Sequence, residues 1–199
     1  MRSKGTLVVV FIVLLVGFAG CAGCGTYNGM VAEEEAVEQA WANVETSYQR
    51  RADLIPNLVR TVQGAADFEQ ETLESVTNAR ARATSINVTV DDLGDAAKMQ
   101  EYMAAQSALG SSLGRLIAVA ENYPQLQATT AFSDLQVQLE GTENRINVAR
   151  RDYNEAVRSY NTRVRQFPGS IIASVTGFER RTPFEADAGA ETAPVVEFN

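Results

Sequence analysis

From Phe132 to Phe167 the apolar and small residues recur at steps of three or four without a miss. The series is Phe132, Leu135, Leu139, Thr142, Ile146, Ala149, Tyr153, Ala156, Tyr160, Val164 and Phe167. A strand needs a period of two, whereas this spacing lays one stripe along a helix. The stripe has the 3-4 alternation of coiled-coil-like packing, so the helix needs a partner of comparable length. Counted from Pro124, which suits a first helical turn, to Phe167, the helix would be about 66 Å long. Pro168-Gly169 would end it.

The partners are legible upstream. Val37, Trp41, Val44, Tyr48, Ala52, Ile55, Val59 and Val62 form a second seam, with Pro56 inside it. The phase survives the proline, which predicts one kinked helix, restarting near Asp53, rather than two elements. Asp67 and Gln70 have the spacing of a capping box for a helix over 68–85. Asp91 or Asp92 can cap a third, with the seam Met99, Tyr102, Gln106, Leu109, Leu113, Leu116 and Ala120. Gly110 and Gly114 lie one turn apart on it, which predicts close approach of a neighbouring helix, with a ligand-admitting gap as the alternative. Four helical stretches with short connections predict an all-α fold, an elongated antiparallel four-helix bundle. Ser170–Phe178 would pack as an apolar flap against one bundle end.

The N-terminus predicts a location. No charged residue occurs between Gly5 and Ala32, and the apolar run is densest from Leu7 to Ala19. Counted to Gly25, the segment would span about 30 Å as a helix, enough for a hydrocarbon core. Counted only to Phe18, it has the length of a signal-peptide core. Phe18-Ala-Gly-Cys21 is similar to a bacterial lipobox, so Cys21, with Cys24 as the alternative, is a lipidation candidate. A single-pass helix, a lipid anchor and a cleaved secreted form therefore stay open. Arg2 and Lys4 precede the segment and the next basic residue is Arg50, an asymmetry that places the body outside the cytoplasm. The expected division is 1–25 anchor or signal segment, 26–178 helical body and 179–199 disordered acidic tail.

Several stretches resemble the LemA family of bacterial membrane-associated proteins. They include Ala40-Trp-Ala-Asn-Val44, Tyr48-Gln-Arg-Arg-Ala-Asp-Leu-Ile-Pro-Asn-Leu-Val59, Thr77-Asn-Ala-Arg80, Glu121-Asn-Tyr-Pro124, Gly141-Thr-Glu-Asn-Arg-Ile146 and Ala149-Arg-Arg-Asp-Tyr-Asn154. The resemblance implies an N-terminal membrane segment and a helical bundle, and it brings no catalytic residues. Beyond Phe184 the tail shows no family pattern. Read physically, Arg50, Arg51, Asp53 and Asn57 surround the proline, while Glu143, Asn144 and Arg145 bracket the long seam. Helices with near-identical seams can slip by a heptad, and a polar contact at one level penalises the slipped registers. The seven residues are therefore candidates for a register-fixing network, or for a polar recognition site.

Composition excludes more than it assigns. The 199 residues contain no histidine, which removes histidine-dependent triads and histidine-ligated metals. Both cysteines precede the body, so no thiolate metal site is available there. No cofactor is expected. Seventeen basic against 25 acidic residues give −8, which argues against nucleic acid as a partner. Two of the basic residues precede Gly25, so the rest of the chain carries −10. The expected role is a non-enzymatic scaffold of the cell envelope, with the membrane and other envelope proteins as partners. A lipid- or small-ligand-binding bundle is the alternative, and a histidine-independent hydrolase the remote one. Seams of this kind can also associate between chains, so a homo-oligomer is left open.

Overall fold

The computed structural model describes residues 2–64 and 68–185; the side chains of 2–4, 6, 16, 18, 19, 21 and 22 lie outside the description. The described residues contain helices and loops and no strand. The helices are α1 (Arg2–Gln63), α2 (Gln70–Ser85), α3 (Ala96–Ala120), a short α4 (Pro124–Gln127), α5 (Thr130–Arg165) and α6 (Gly169–Thr176). A 3-10 turn, Val90–Gly94, precedes α3. The most extensive packing is α1 against α5, then α2 against α3. Both pairs are antiparallel: Glu33 meets Arg163 while Arg51 meets Glu143, and Gln106 reaches Ala83 while Phe68 meets Tyr123.

The seams read from the sequence form the core. Every predicted seam residue of α3 is buried. On α1, Leu58 is buried where Val59 was expected, and on α5 Val157 is buried beside the half-buried Ala156. Aromatic rings fill the level around Trp41, whose ring lies 5.5 Å from those of Tyr102 and Tyr153 and 6.1 Å from Phe184.

Pro56 lies inside a continuous α1. A proline leaves the carbonyl four residues earlier without its helical donor. That carbonyl belongs to the buried Ala52, and Arg80 Nε of α2 donates to it at 2.8 Å. The neighbouring helix thus replaces the hydrogen bond that proline removes, and no restart at Asp53 is needed.

Several expected boundaries move. Asp67 lies outside the described residues, and α2 begins after Glu69 without a side-chain cap. Asp95, not Asp91 or Asp92, caps α3, accepting from Ala97 N and Lys98 N at 2.9 and 3.1 Å. Asp92 instead closes a capping box with Thr89. The expected 124–167 helix is interrupted at Ala128–Thr129. There Thr129 turns extended and caps α5 through Phe132 N, a local hydrogen bond that competes with helix continuation. Phe167, taken as the last seam residue, is 81% exposed because α5 ends at Arg165.

The flap expected at Ser170–Phe178 is the helix α6, stopped by Gly177 at φ +84°, whose N–H bonds Ala173 O at 2.9 Å. The tail expected from 179 also starts too early. Residues 179–185 form an extended strap that runs back along α5. Asn161 exchanges two hydrogen bonds with the Arg181 backbone (2.8 and 2.9 Å), and Asn154 does the same at Phe184 (2.9 and 2.8 Å). Seven helical residues rise about 10.5 Å, close to the span of three extended residues, so the two asparagines match the strap's repeat. Tyr153 Oη donates to Thr182 O, and Thr182 N donates to Leu93 O. Residues 186–199 lie outside the described residues.

Candidate functional site

Arg51 projects from α1 into the centre of the helix packing and is 3% exposed. A buried guanidinium is costly unless its donors find acceptors. Nη2 donates to the main-chain and side-chain oxygens of Gln106 at 3.0 and 2.8 Å. Nη1 donates to Glu143 Oε2 at 3.1 Å. Gln106, itself buried, passes its Nε2–H on to Ala83 O at 3.3 Å. The Tyr48 ring lies 5.0 Å from the guanidinium, a cation–π contact, and Tyr102 meets that ring edge-on at 5.7 Å. Burial pushes the Tyr102 hydroxyl well above its ordinary range, with Tyr48 and Glu45 adding to the effect, so it stays a neutral donor. One chain of contacts therefore joins α1, α3, α2 and α5 at a single level.

Of the seven polar candidates, the fold brings together Arg51 and Glu143. Arg50, Asn144 and Arg145 are exposed and take no part in the network. Asp53 accepts from Gln49, and Asn57 accepts from Arg60, each within its own helix. Sequence reasoning missed Gln106, which occupies a seam position and reads as packing. A polar residue inside an otherwise apolar seam was the available signal.

Beside this network α3 and α5 face a common open space. They leave an open groove of about 780 Å³ lined by Tyr48, Arg51, Gly110, Gly114, Leu139 and Glu143, among others. A Cβ at Gly114 would meet nothing within 4 Å, and one at Gly110 only Arg51 Nη1 at 3.6 Å. No other helix brings its backbone within 4 Å of a Cβ at either glycine. The ligand-admitting alternative fits them better than the expected close contact. Arg51 Nε is buried with no hydrogen-bond partner. Arg150 and Phe184 stand at one end of the groove, with the guanidinium 5.1 Å from the ring.

Among the described residues no group of histidine, cysteine or acidic side chains is placed to hold a metal. Cys24 is a free, exposed thiol, and the Cys21 side chain lies outside the description. Neither lipidation candidate gains a distinguishing contact.

Curated relatives cover most of the chain. It is 27% identical over 206 residues to "Magnetosome protein MamQ 2" of Paramagnetospirillum magneticum, covering 96% of this chain and 75% of that protein. It is 26% identical to "Magnetosome protein MamQ" of Magnetospirillum gryphiswaldense, covering 85% and 68% of the two chains. It is 23% identical to "Protein LemA" of Metamycoplasma hominis, covering 83% and 71%. A sequence model of the LemA family matches residues 40–198. That match takes in the Arg51 motif, the long seam, the strap and the stretch beyond Phe184 for which no family pattern was expected. The chain belongs to the LemA family.

Proposed function

We propose that this protein is a non-enzymatic interaction protein of the bacterial cell envelope, held at the membrane by the first part of α1. In this reading its four long helices form an antiparallel bundle outside the cytoplasm. The observation that carries the anchor is the exposure of Leu7–Leu15. These nine consecutive apolar side chains are each 50–68% exposed, on a helix that continues unbroken into the body. Left in water, they would forgo on the order of 10 kcal/mol of apolar burial. Among the described residues no helix is long and apolar enough to cross a membrane, so the spanning form and the lipid-anchored form are both proposals. The likeness to proteins named for the magnetosome supports a membrane association of the same kind.

Alkaline carbonate extraction of membranes tests the anchor. The native chain should stay in the pellet, and the Val10→Glu, Leu14→Glu double variant should move to the supernatant. A native chain released by carbonate would defeat the reading. An intact mass that retains Met1 selects the spanning helix over lipidation at Cys21. Crosslinking in intact envelopes tests the scaffold role, and a chain that captures no envelope protein above background tells against it.

A second reading, a lipid- or small-ligand-binding bundle, is favoured by one feature. The groove offers about 780 Å³ beside a buried Arg51 that has one unpaired N–H. Native mass spectrometry after mild extraction would show a retained ligand that is lost on Gly114→Leu. An unchanged mass in both would remove this reading.

A further inference from the structure

The body's exposed apolar side chains are not evenly spread. Apart from Leu7–Leu15, the large apolar residues that are exposed among the described residues are Tyr27, Val137, Val148, Phe167, Ile171 and Val175. Val137 and Val148 are isolated on α5, which is ordinary for a protein surface. The other four lie at one end of the molecule.

Topology identifies that end. α1 leaves its apolar N-terminal stretch and enters the body; α5 runs antiparallel to it and so returns toward that stretch. The return is complete where Arg163 pairs with Glu33, with Nη2 and Oε1 2.6 Å apart. α6 then packs across the same level. Gly169 sits against Met30, and the Phe178 ring lies 5.6 Å from Tyr27. Beyond α6 the strap leads away again, reaching Asn161 and then Asn154. α6 is thus the turning point of the C-terminal chain, at the end from which the N-terminal part of α1 emerges.

The level is also right for a bilayer surface. Thr6–Gly25 covers about 30 Å of helix, the thickness of a hydrocarbon core, so Tyr27 falls about 3 Å outside it. Aromatic residues favour that depth. Phe167 and the outward residues of α6, Ile171 and Val175, follow at steps of four and are 81%, 58% and 81% exposed. Ala173, on the inward side, is buried. No charged residue occurs between Phe167 and Phe178, and the exposed Arg165 and Arg180 flank the segment, placed to meet lipid phosphates. Of the acidic groups at this level, Glu33 is paired with Arg163 and Glu34 with Arg181, which limits repulsion from a lipid surface, while the exposed Glu35 and Glu179 have no ion pair among the described residues and oppose it.

We infer that Phe167 and α6 form an interfacial foot, with Phe167, Ile171 and Val175 seated in the headgroup region of the bilayer that holds α1. The inference rests on the spanning form of the anchor reading proposed above. The foot gives the body a second contact with the lipid surface and sets its angle to the membrane.

Site-specific fluorescence tests it in the full chain, with Cys21 and Cys24 replaced by serine. Single variants Val175→Cys, Ile171→Cys, Val148→Cys and Val10→Cys carry an environment-sensitive nitrobenzoxadiazole label. They are reconstituted in phosphatidylcholine–phosphatidylglycerol vesicles containing lipids with a shallow or a deep nitroxide quencher. Labels at 175 and 171 should be quenched several-fold more by the shallow nitroxide than a label at 148, and a label at 10 more by the deep one. Quenching at 10 with none at 171 and 175 overturns the foot and leaves the anchor standing. Quenching at 171 and 175 with none at 10 overturns the anchor and supports an interfacial contact. No quenching at any position overturns both. Circular dichroism of each variant confirms that helicity is retained, and agreement between 171 and 175 guards against a local distortion at either.

Discussion

Removing the polar centre one residue at a time should give an order of stabilities that formal charge would not suggest. Glu143 carries the charge opposite Arg51, but its side chain is half exposed, so its ion pair is screened and contributes about 0–1 kcal/mol. Gln106 is neutral, yet it is buried and accepts twice from Arg51. Gln106→Leu keeps the main-chain acceptor but removes the side-chain one, leaving a buried guanidinium short of a partner and Ala83 O without its donor. Each lost buried partner costs about 1–3 kcal/mol, so the change should destabilise by roughly 2–4 kcal/mol. Arg51→Met strands the side-chain oxygen of Gln106, whose main-chain oxygen keeps its helical donor, but also relieves the desolvated charge with its unpaired Nε. Its cost should fall between, at about 1–2 kcal/mol. The expected order of damage is Gln106→Leu, then Arg51→Met, then Glu143→Gln. Thermal unfolding of the full chain in mild detergent, followed by circular dichroism, would read this as drops of about 2–4 °C per kcal/mol for a body of this size. The double variant of Arg51 and Glu143 should show a coupling below about 1 kcal/mol. If Glu143→Gln destabilises more than Gln106→Leu, the ion pair and not the buried amide holds the helices in register, and the reasoning fails.

Three further outcomes follow from the packing. Arg80→Leu should cost about 1–3 kcal/mol by stranding Ala52 O, and clearly less in a Pro56→Ala background, where the helix regains its own donor; equal costs in the two backgrounds would disprove the substitution of Arg80 for the missing N–H. Gly169→Ala should detach α6, because a Cβ there would collide with the Arg163 carbonyl oxygen and the Met30 side chain; limited trypsin digestion should then cut faster at Arg180 and Arg181, and unchanged cleavage would refute it. Burial, with Glu34 adding to it, pushes the Tyr160 hydroxyl up to about 12, and burial raises Tyr153 as well. A folded value above the ordinary one near 10 supplies stability that is complete below pH 10 and lost as pH climbs toward 12. Titration by absorbance at 295 nm should show tyrosines that ionise late, together with unfolding, and a single early transition would contradict it.

The seams were legible because helical burial repeats along the chain at a period that sequence displays directly. On α3 every expected position from Met99 to Ala120 is buried, with Ala105 in addition. What escaped lacks periodicity. The break at Thr129 turns on one side-chain hydrogen bond, and it lies ahead of Phe132, the first residue of the seam, where no pattern marks it. The strap is held through its backbone by two asparagines, so nothing in residues 179–185 except Phe184 advertises burial. Asn154 and Asn161, seven apart on one helix face, were the legible half of that contact. The Arg51–Glu143 juxtaposition could be anticipated because both flank seam positions, while Gln106 was hidden by sitting in one. Phe167 kept the phase of its seam, but Pro168 ended the helix before that phase could bury it.

The path of the strap also decides where traction on the C-terminus is felt. The described chain ends at Glu185, beside Arg150, whose guanidinium donates to Glu185 O at 3.2 Å. That point is about 22 Å along α5 from Arg165, roughly midway up the body and not at the end where α6 packs. Tension applied at Glu185 would load first the Asn154 clamp and then the Asn161 clamp. Both transmit the load sideways into the middle of α5. Load entering at Glu185 is thus taken up by the centre of the packed body, while α6 sits on the slack side of both clamps.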